Sequence, residues 1–454
     1  MTSHRKLAII CASCLMCGCM YAVVACKPDT LSRILKDRTL TIITFGHSTA
    51  FSQFENQLLG FEYEMAKAFA DYLGCTLAVK TPAYSRQLEM LNASEADVMA
   101  TGRLTADRCK PALALSRGYM TLRQVIVCHR TLKDVKGLED LNGRTVHVLA
   151  DSSHHELLKE LNRDNRQINI VAYKDIPARR LIRMVAEKHI EMTLVGSHIA
   201  AVCRRYYPDI REAFSLRANQ ELSWAVRKGD KALLKEINAF MAMYRGNGNF
   251  HNLYTKYFPG AAEFDYVDLT TYHHRITSRL PRYESLIRKE AAKVGFDWTL
   301  IAAIIYQESH FDPAAVSHTG VRGIMQVTRE TAREMGLSNR LNPEGSIRSG
   351  IQYLRKLYER FDDIPNDHDR MMFTLASYNV GYGHVRDAQK IAADKNLTPT
   401  MWTSLKQTLP LLRQKKFYKH TKYGYARGHE PVRYVERILR YHDILKHKLI
   451  SEQA

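Results

Sequence analysis

The sequence lacks the features of several familiar protein classes. It has no His or Cys spacing typical of a zinc site, no visible repeat or low-complexity tract, and only one segment apolar enough to cross a membrane. Acidic residues are also few relative to basic ones, with 47 Asp and Glu against 66 Lys and Arg and a formal net charge of +19. These absences argue against a metal-dependent or repeat protein, and the charge indicates an anionic partner or surface.

The one long apolar segment lies at the amino terminus. Basic residues precede an apolar stretch from Leu7 to Ala25, and polar sequence then begins, as in an export signal. Val23-Val24-Ala25-Cys26 resembles a lipoprotein-processing site, so residues 1–26 predict a signal peptide with Cys26 as the lipid-modified residue. Met16-Cys17-Gly18-Cys19 is a weaker second candidate, and the alternative is an uncleaved anchor helix of about 19 residues.

Export and a lipid anchor predict a membrane-associated protein on the periplasmic face of the envelope, with the outer membrane as the expected location. Nucleic acid is not an expected partner, because an exported chain rarely meets it and the basic residues are dispersed. Of the nine cysteines, five lie in or at the end of the leader. The other four allow three complete disulfide pairings, among which the sequence does not choose: Cys75, Cys109, Cys128 and Cys203.

A glutamate lies on the apolar face of a predicted helix. In Trp298–Glu308, residues Ile301, Ile304, Ile305 and Glu308 recur at helical spacing and therefore share one face. Burial disfavours the charged form of a carboxyl, so Glu308 is expected to hold a proton near neutral pH and to act as a general acid. The alternative is a core glutamate neutralised by an arginine.

The residues after Glu308 predict a loop that approaches a ligand. We expect the helix to close at Asp312-Pro313, because proline cannot continue it. Gly320 and Gly323 then allow a backbone that comes close to a bound molecule. The pattern predicts one wall of a cleft.

Four short motifs occur in order over the length of one domain. They are Glu308-Ser309, Gly323-Ile324-Met325-Gln326, Ser377-Tyr378-Asn379 with Gly381, and the segment from Lys422 to Tyr441. Together they resemble the catalytic domain of the lysozyme-like lytic transglycosylases, which cleave peptidoglycan, although Ile324 and Ser377 replace the family's leucine and alanine. The resemblance implies a mainly α, lysozyme-like domain in residues 270–454.

The resemblance also implies a reaction that needs one ionisable side chain. In it, Glu308 protonates the glycosidic oxygen between N-acetylmuramic acid (MurNAc) and N-acetylglucosamine (GlcNAc). The muramoyl 2-acetamido oxygen of the substrate stabilises the positive charge, in place of a second carboxylate. Glu308 then takes a proton from the C6 hydroxyl, which closes a 1,6-anhydro ring. No cofactor or metal is required.

The other motif residues receive substrate-binding roles. Ser317 lies where the family places a hydroxyl near the reacting sugar, and Gln326 and Asn379 carry amides suited to N-acetyl groups. Tyr378 and Tyr434 could present aromatic faces to sugar rings, with core packing as the alternative for both.

The chain upstream alternates strands and helices. Leu40–Thr44 predicts a strand and Gly60–Gly74 predicts an amphipathic helix. A second block from Leu141 to Leu161 again predicts a strand, a turn and a helix. Such alternation predicts a mostly parallel sheet flanked by helices.

Three motifs in this part resemble the periplasmic solute-binding proteins specific for polar amino acids. They are Gly60-Phe61-Glu62-Tyr63-Glu64, Thr105-Ala106-Asp107-Arg108 and Ser116-Arg117-Gly118-Tyr119. The resemblance implies a two-lobed α/β domain in residues 31–265, in which Arg108 grips a ligand carboxylate. A surface ion pair is the alternative role for Arg108.

Three positions depart from that family. Gly196 stands where an aspartate usually receives the ligand's ammonium group, Asp151 places a negative charge where a carboxylate should bind, and Arg103 replaces a threonine. These departures argue against a free amino acid and favour a peptide stem of the cell wall, or no ligand at all. The expected ligand, if there is one, is a muropeptide or an amino-acid-like molecule.

The sequence thus predicts a peptidoglycan lytic transglycosylase with an attached ligand-sensing domain, and the two domains are joined by a short linker in the region from Phe258-Pro259-Gly260 to Ile276. Its expected partner is the glycan strand of peptidoglycan, whose carboxylates suit the positive charge. One alternative is a hydrolytic muramidase with Asp312, Glu330 or Glu334 as second carboxylate. The other is a cell-wall-binding sensor with little catalysis.

Overall fold

The computed structural model describes residues 29–44, 52–54, 57–83, 86–105, 112–150, 152–164, 166–174, 176–258, 266–318 and 320–453. Contacts divide the chain into two compact units, Met1–Glu263 and Phe264–Ala454. The predicted signal peptide with Cys26, and also Arg108 and Asp151, lie outside the described residues.

The first unit combines helices with one large sheet. Its strands are β1 (Thr39–Ile43), β2 (Ser52–Phe54), β3 (Gln57–Leu59), β4 (Thr76–Lys80), β5 (Val98–Thr105), β6 (Leu113–Leu115), β7 (Met120–His129), β8 (Thr145–Leu149), β9 (Asn169–Tyr173), β10 (Met192–Gly196) and β11 (Ile210–Arg227). Its helices are α1 (Thr30–Asp37), α2 (Phe61–Tyr72), α3 (Gln87–Asn92), α4 (Ser153–Arg163), α5 (Ala178–Ala186), α6 (Ser197–Cys203), α7 (Lys231–Gly246) and α8 (Asn249–Tyr257), with a 3₁₀ turn at Leu138–Leu141. The predicted α/β class is confirmed.

The sheet has the strand order β4-β1-β5-β11-β7-β10-β8-β9, with β6 beside β11, while β2 and β3 form a separate hairpin. The outer pairs are parallel, but β11 is antiparallel to β5 and β7, and β7 is antiparallel to β10. The prediction of a mostly parallel sheet is therefore wrong at the centre. Helical crossovers keep the outer strands parallel, whereas the long central strands β7 and β11 are antiparallel to each other and to their outer neighbours β10 and β5.

The core of the first unit explains why these segments fold. On α2, Phe61, Met65 and Phe69 are almost fully buried and pack with Trp224 of β11 and Phe240 of α7. Their spacing matches the helical period that the sequence displays. This core fixes the positions of α2, α7 and β11.

The second unit is mainly helical, as predicted. Its helices are α9 (Tyr266–Ser278), α10 (Pro281–Lys293), α11 (Trp298–Ser309), α12 (Arg329–Glu334), α13 (Pro343–Glu359), α14 (Asp367–Val380), α15 (Tyr382–Asp394), α16 (Trp402–Thr408), α17 (Lys415–Tyr418) and α18 (His429–Gln453), with a 3₁₀ turn at Leu409–Arg413. Helix α11 is central, because Ile301, Ile304 and Ile305 are fully buried.

Cys75, Cys128 and Cys203 are buried free thiols, so none of the three complete disulfide pairings is present. Cys109 lies outside the described residues. In the part of the chain that the structure describes, no helix combines the length and the apolar character that a membrane span needs. The same part shows no His, Cys, Asp and Glu cluster suited to a metal ion.

Candidate active site

Helix α11 carries Glu308 in its last turn. The helix begins after Asp297, whose Oδ1 accepts a hydrogen bond of 2.9 Å from the backbone N–H of Thr299. It ends at Ser309, because His310 and Phe311 have φ values of 54° and 59° in the left-handed region. The expectation that the helix closes at Asp312-Pro313 is wrong, since these two left-handed residues end it earlier.

The Glu308 side chain is partly exposed and lies beside the buried residues of α11. The Tyr434 hydroxyl donates a hydrogen bond of 2.5 Å to Glu308 Oε1. Burial raises the pKa of Glu308 to about 7, and the Tyr434 bond opposes that shift. Within the described ranges no ion pair involves Glu308, so the alternative of a glutamate neutralised by arginine is wrong.

The loop after α11 is tied to the helix and to itself. The Ser309 hydroxyl donates to the carbonyl oxygen of Ile324 at 2.7 Å, and the Gln326 amide donates to the carbonyls of Gly323 and Ala315 at 2.9 and 3.1 Å. Gly323 has a φ of +90°, and a Cβ there would lie 1.9 Å from the carbonyl oxygen of Arg340. The loop therefore needs glycine at this position to form the wall beside Glu308.

Two tyrosines face the same carboxyl. Tyr434 is 6% exposed, and Tyr378 is partly buried. Burial, together with the charge of Glu308, raises the pKa of both phenols well above the usual range. The Tyr378 hydroxyl also donates to the carbonyl oxygen of Met325 at 2.9 Å. Glu308, Tyr378 and Tyr434 are thus brought together, with Tyr378 linked to the loop wall.

The remaining predicted residues, Ser317, Gln326 and Asn379, differ in their hydrogen bonding and exposure. Ser317 accepts a hydrogen bond of 3.0 Å from the backbone N–H of Val321, within the loop. Asn379 is exposed at the end of α14, and its side chain forms no hydrogen bond with the described part of the chain. The donors of Gln326 are engaged in holding the loop, which leaves its side-chain oxygen as an acceptor.

Helix α18 clamps α11 at both ends, an arrangement that the sequence analysis missed. Tyr434 reaches Glu308 at one end, while His442 Nε2 and Lys446 Nζ lie 3.1 and 2.8 Å from Asp297 Oδ2 at the other. Burial opposes ionisation of Asp297, but the hydrogen bonds from His442 and Lys446 hold its pKa below the usual range. The only sequence signal was Asp297 itself, an N-cap residue before an apolar helix.

In the first unit, two of the predicted motifs meet in the core. The carboxylate of Glu62, which is 2% exposed, accepts hydrogen bonds from the Tyr119 hydroxyl at 2.5 Å and from Trp224 Nε1 at 2.9 Å. Ser116 Oγ accepts from the backbone N–H of Trp224 at 3.0 Å. Burial raises the pKa of Glu62 to about 7, against the effect of its two donors. These motif residues therefore stabilise the fold.

Comparisons with known proteins agree with both resemblances. The family described as Transglycosylase SLT domain matches residues 285–399, and the family described as Bacterial extracellular solute-binding proteins, family 3, matches residues 40–260. An ancestral amino acid-binding protein, a precursor of cyclohexadienyl dehydratase, has a crystal structure that aligns with 51% of this chain and 99% of its own, at 24% identity and a TM-score of 0.45.

Two curated relatives cover nearly the whole chain. A membrane-bound lytic murein transglycosylase F from Desulfosudis oleivorans is 45% identical over 420 residues, which are 92% of this chain and 92% of the relative. One from Pseudomonas putida is 38% identical over 451 residues, which are 98% of this chain and 93% of the relative. The chain therefore belongs to the membrane-bound lytic murein transglycosylase F family.

Proposed function

We propose that this chain is a peptidoglycan lytic transglycosylase that cleaves the β-1,4 linkage between MurNAc and GlcNAc without water and leaves 1,6-anhydroMurNAc ends. The observation that carries the proposal is Glu308, a partly exposed carboxyl with a pKa of about 7 at the foot of a loop wall. Family membership and the transglycosylase domain support it.

In the proposed reaction, protonated Glu308 donates its proton to the glycosidic oxygen as the bond to the muramoyl anomeric carbon breaks. The substrate's own 2-acetamido oxygen stabilises the positive charge at that carbon. Ionised Glu308, held by Tyr434, then accepts the proton of the C6 hydroxyl, which attacks the same carbon. Glu308 ends protonated again and the cycle closes.

A hydrolytic muramidase would need a second carboxylate, and the three candidates have other partners or positions. Asp312 Oδ1 accepts from the backbone N–H of Ala314 at 2.9 Å, Glu334 pairs with Lys356, and Glu330 is exposed. Burial raises the pKa of Glu308 and the Tyr434 bond opposes the shift, with no contribution from a carboxylate. These facts favour the substrate-assisted reaction.

We assign the remaining site residues to substrate binding. Asn379 offers an exposed amide to an N-acetyl group, and Gln326 offers its side-chain oxygen. Tyr378 and Tyr434 hold the reacting sugar beside Glu308, and Ser317 lies on the loop that borders it.

We propose that the two domains comprise residues 31–265 and 270–454. For the first of them we propose a ligand-sensing role. The solute-binding family match supports a ligand, and Arg108 is the proposed carboxylate-binding residue for a muropeptide or an amino-acid-like molecule. Calorimetric titration with muropeptides and with free amino acids, on the natural chain and on Arg108→Ala, tests this. Equal heats for both chains would contradict the role of Arg108.

We also propose that Cys26 is lipid-modified and holds the protein on the periplasmic face of the outer membrane. The names of the relatives support membrane association. Labelled fatty acid incorporation into the natural chain and into Cys26→Ala, followed by envelope fractionation, tests the anchor and the membrane.

Mass spectrometry of digested sacculi tests the reaction itself. Anhydro-ended fragments from the natural chain and none from Glu308→Gln are the expected result. Reducing ends would indicate hydrolysis, and the absence of any fragments would leave only the wall-binding alternative.

A further inference from the structure

An open groove of about 460 Å³ runs along one face of α7 in the first unit. Lys231, Leu234, Lys235, Ala239 and Ala242 line it from successive turns of the helix, because their spacing places them on one face. Asn238 of the same helix and Arg117, from the segment before β7, complete the lining.

The groove combines unpartnered cations with small apolar surface. Arg117, Lys231 and Lys235 are exposed, and none of them forms an ion pair with the residues that the structure describes. Other lysines of this unit differ, since Lys67 pairs with Asp71 and Lys256 with Glu64. Such a surface suits the interface of a lipid bilayer, where charged groups meet hydrocarbon. The long side chains of lysine and arginine can place their stems on apolar surface and their charges among polar groups.

The amino-terminal end of α7 lies close to the point where the proposed anchor joins the fold. The Thr30 hydroxyl donates to Asp230 Oδ1 at 2.6 Å, and Asp230 directly precedes Lys231. Cys26 stands only four positions before Thr30 in the sequence. An extended chain of that length spans at most about 14 Å, so a lipid on Cys26 lies within that distance of Thr30, which contacts the residue directly before α7.

We propose that the α7 groove lies against the anionic phospholipid headgroups of the membrane that receives the Cys26 lipid. The inference rests on the proposed lipid anchor, and it adds which face of the first unit meets the membrane. Each basic residue near an anionic bilayer strengthens binding by about fivefold, so three of them add greatly to a single anchor. The groove thereby sets the orientation of the first unit on the membrane.

Lysine labelling tests the contact directly. The mature chain, isolated from cell envelopes, is mixed with excess vesicles of phosphatidylethanolamine and phosphatidylglycerol, or of phosphatidylcholine, and acetylated with an N-hydroxysuccinimide ester. We expect Lys231 and Lys235 to react at least about fivefold more slowly on the anionic vesicles, while exposed Lys133 and Lys174 keep their rates. Equal rates on both vesicles, or protection by soluble anionic muropeptides instead, would overturn the proposal.

A matched pair of triple variants separates this contact from general charge. One carries Arg117→Glu, Lys231→Glu and Lys235→Glu, and the other carries Lys133→Glu, Lys174→Glu and Arg180→Glu, which are also exposed cations of the first unit. Both lose the same charge. The groove variant should bind anionic vesicles at least about tenfold more weakly than the other, and equal losses would contradict the groove. The intact mass reports the lipid on Cys26 separately, so a failed anchor is distinguished from a failed groove.

Discussion

Each unit of this chain contains a glutamate that accepts a hydrogen bond from a tyrosine, and burial raises the pKa of each carboxyl to about 7. Glu62 in the first unit is 2% exposed and accepts from both Tyr119 and Trp224. Glu308 in the second unit is partly exposed and accepts from Tyr434. The two carboxyls share a proton affinity but differ in access.

The difference shows that a raised pKa does not by itself give a carboxyl access to a substrate. A proton on Glu62 has no route to a substrate, because core side chains surround the carboxyl. Glu308 lies at the end of a helix where two left-handed residues turn the chain into a loop, and this opening supplies the access. Access to the carboxyl therefore distinguishes the two glutamates, and the comparison can be tested at both.

Replacing the two glutamates in parallel gives the largest expected contrast. Glu308→Gln should lower the release of anhydro-ended fragments by roughly a thousandfold, since it removes the proposed general acid. Glu62→Gln should leave turnover within about twofold, because Glu62 is enclosed in the core. Fragment release from sacculi is measured for both variants, and a comparable loss in the two would erase the distinction between them.

The next prediction concerns Gly323 in the loop that follows α11 and borders Glu308. Gly323→Ala should cost about 2–3 kcal/mol of folding stability and about a hundredfold in turnover, because its Cβ would meet the Arg340 carbonyl and displace the wall. Gly320→Ala is the matched control, since Gly320 has a φ of +79° but no atom within 4 Å of the added Cβ. Its cost should be about 1 kcal/mol from the backbone alone. Urea unfolding and fragment release measure both, and equal costs would contradict the role of the wall.

The tyrosine on each side of Glu308 should affect pH dependence differently. The rate should fall as pH rises above about 7, because Glu308 then loses its proton. Tyr434→Phe removes a donor that favours the ionised form, so the midpoint should move up by about one pH unit and turnover should drop about tenfold.

Tyr378→Phe is the comparison variant for this test. It breaks the bond to the Met325 carbonyl and should reduce turnover without moving the midpoint. The pH profiles of fragment release decide between the two effects. An unmoved midpoint in Tyr434→Phe would mean that the hydroxyl does not tune Glu308.

Around Glu308, the sequence predicted correctly where the helix lies and which of its residues are buried. It did not predict where the helix ends or which distant residues contact it. Helical spacing placed Ile301, Ile304 and Ile305 correctly in the core, because burial and period coincide there. The end of α11 was misplaced, since His310 and Phe311 adopt left-handed φ values for which non-glycine residues give no signal. The pairing of Asp297 with His442 and Lys446 joins distant parts of the chain, which periodicity cannot detect.

In the first unit, the motif residues were predicted but their role was not. Glu62, Ser116 and Tyr119 stood in motifs that resemble a ligand-binding family, yet they meet at Trp224 in the core. Strand alternation also implied parallel pairing, because the local pattern of a strand does not encode the direction of its neighbours. The partners of β7 and β11 depend on contacts between distant segments.

Glu62→Gln is expected to have the smallest effect on turnover, but it should change how the stability of the first unit depends on pH. The folded-state pKa of Glu62, about 7, lies above its ordinary value of 4.5, so its contribution to stability is fully present below pH 4.5 and is lost as pH rises through 7. The difference is on the order of 3 kcal/mol. Glutamine stays neutral and should remove this slope, as measured by hydrogen exchange of the α2 amides between pH 5 and 8 after correction for intrinsic rates. A slope that persists in the variant would place the titrating group elsewhere in the fold and contradict the assignment to Glu62.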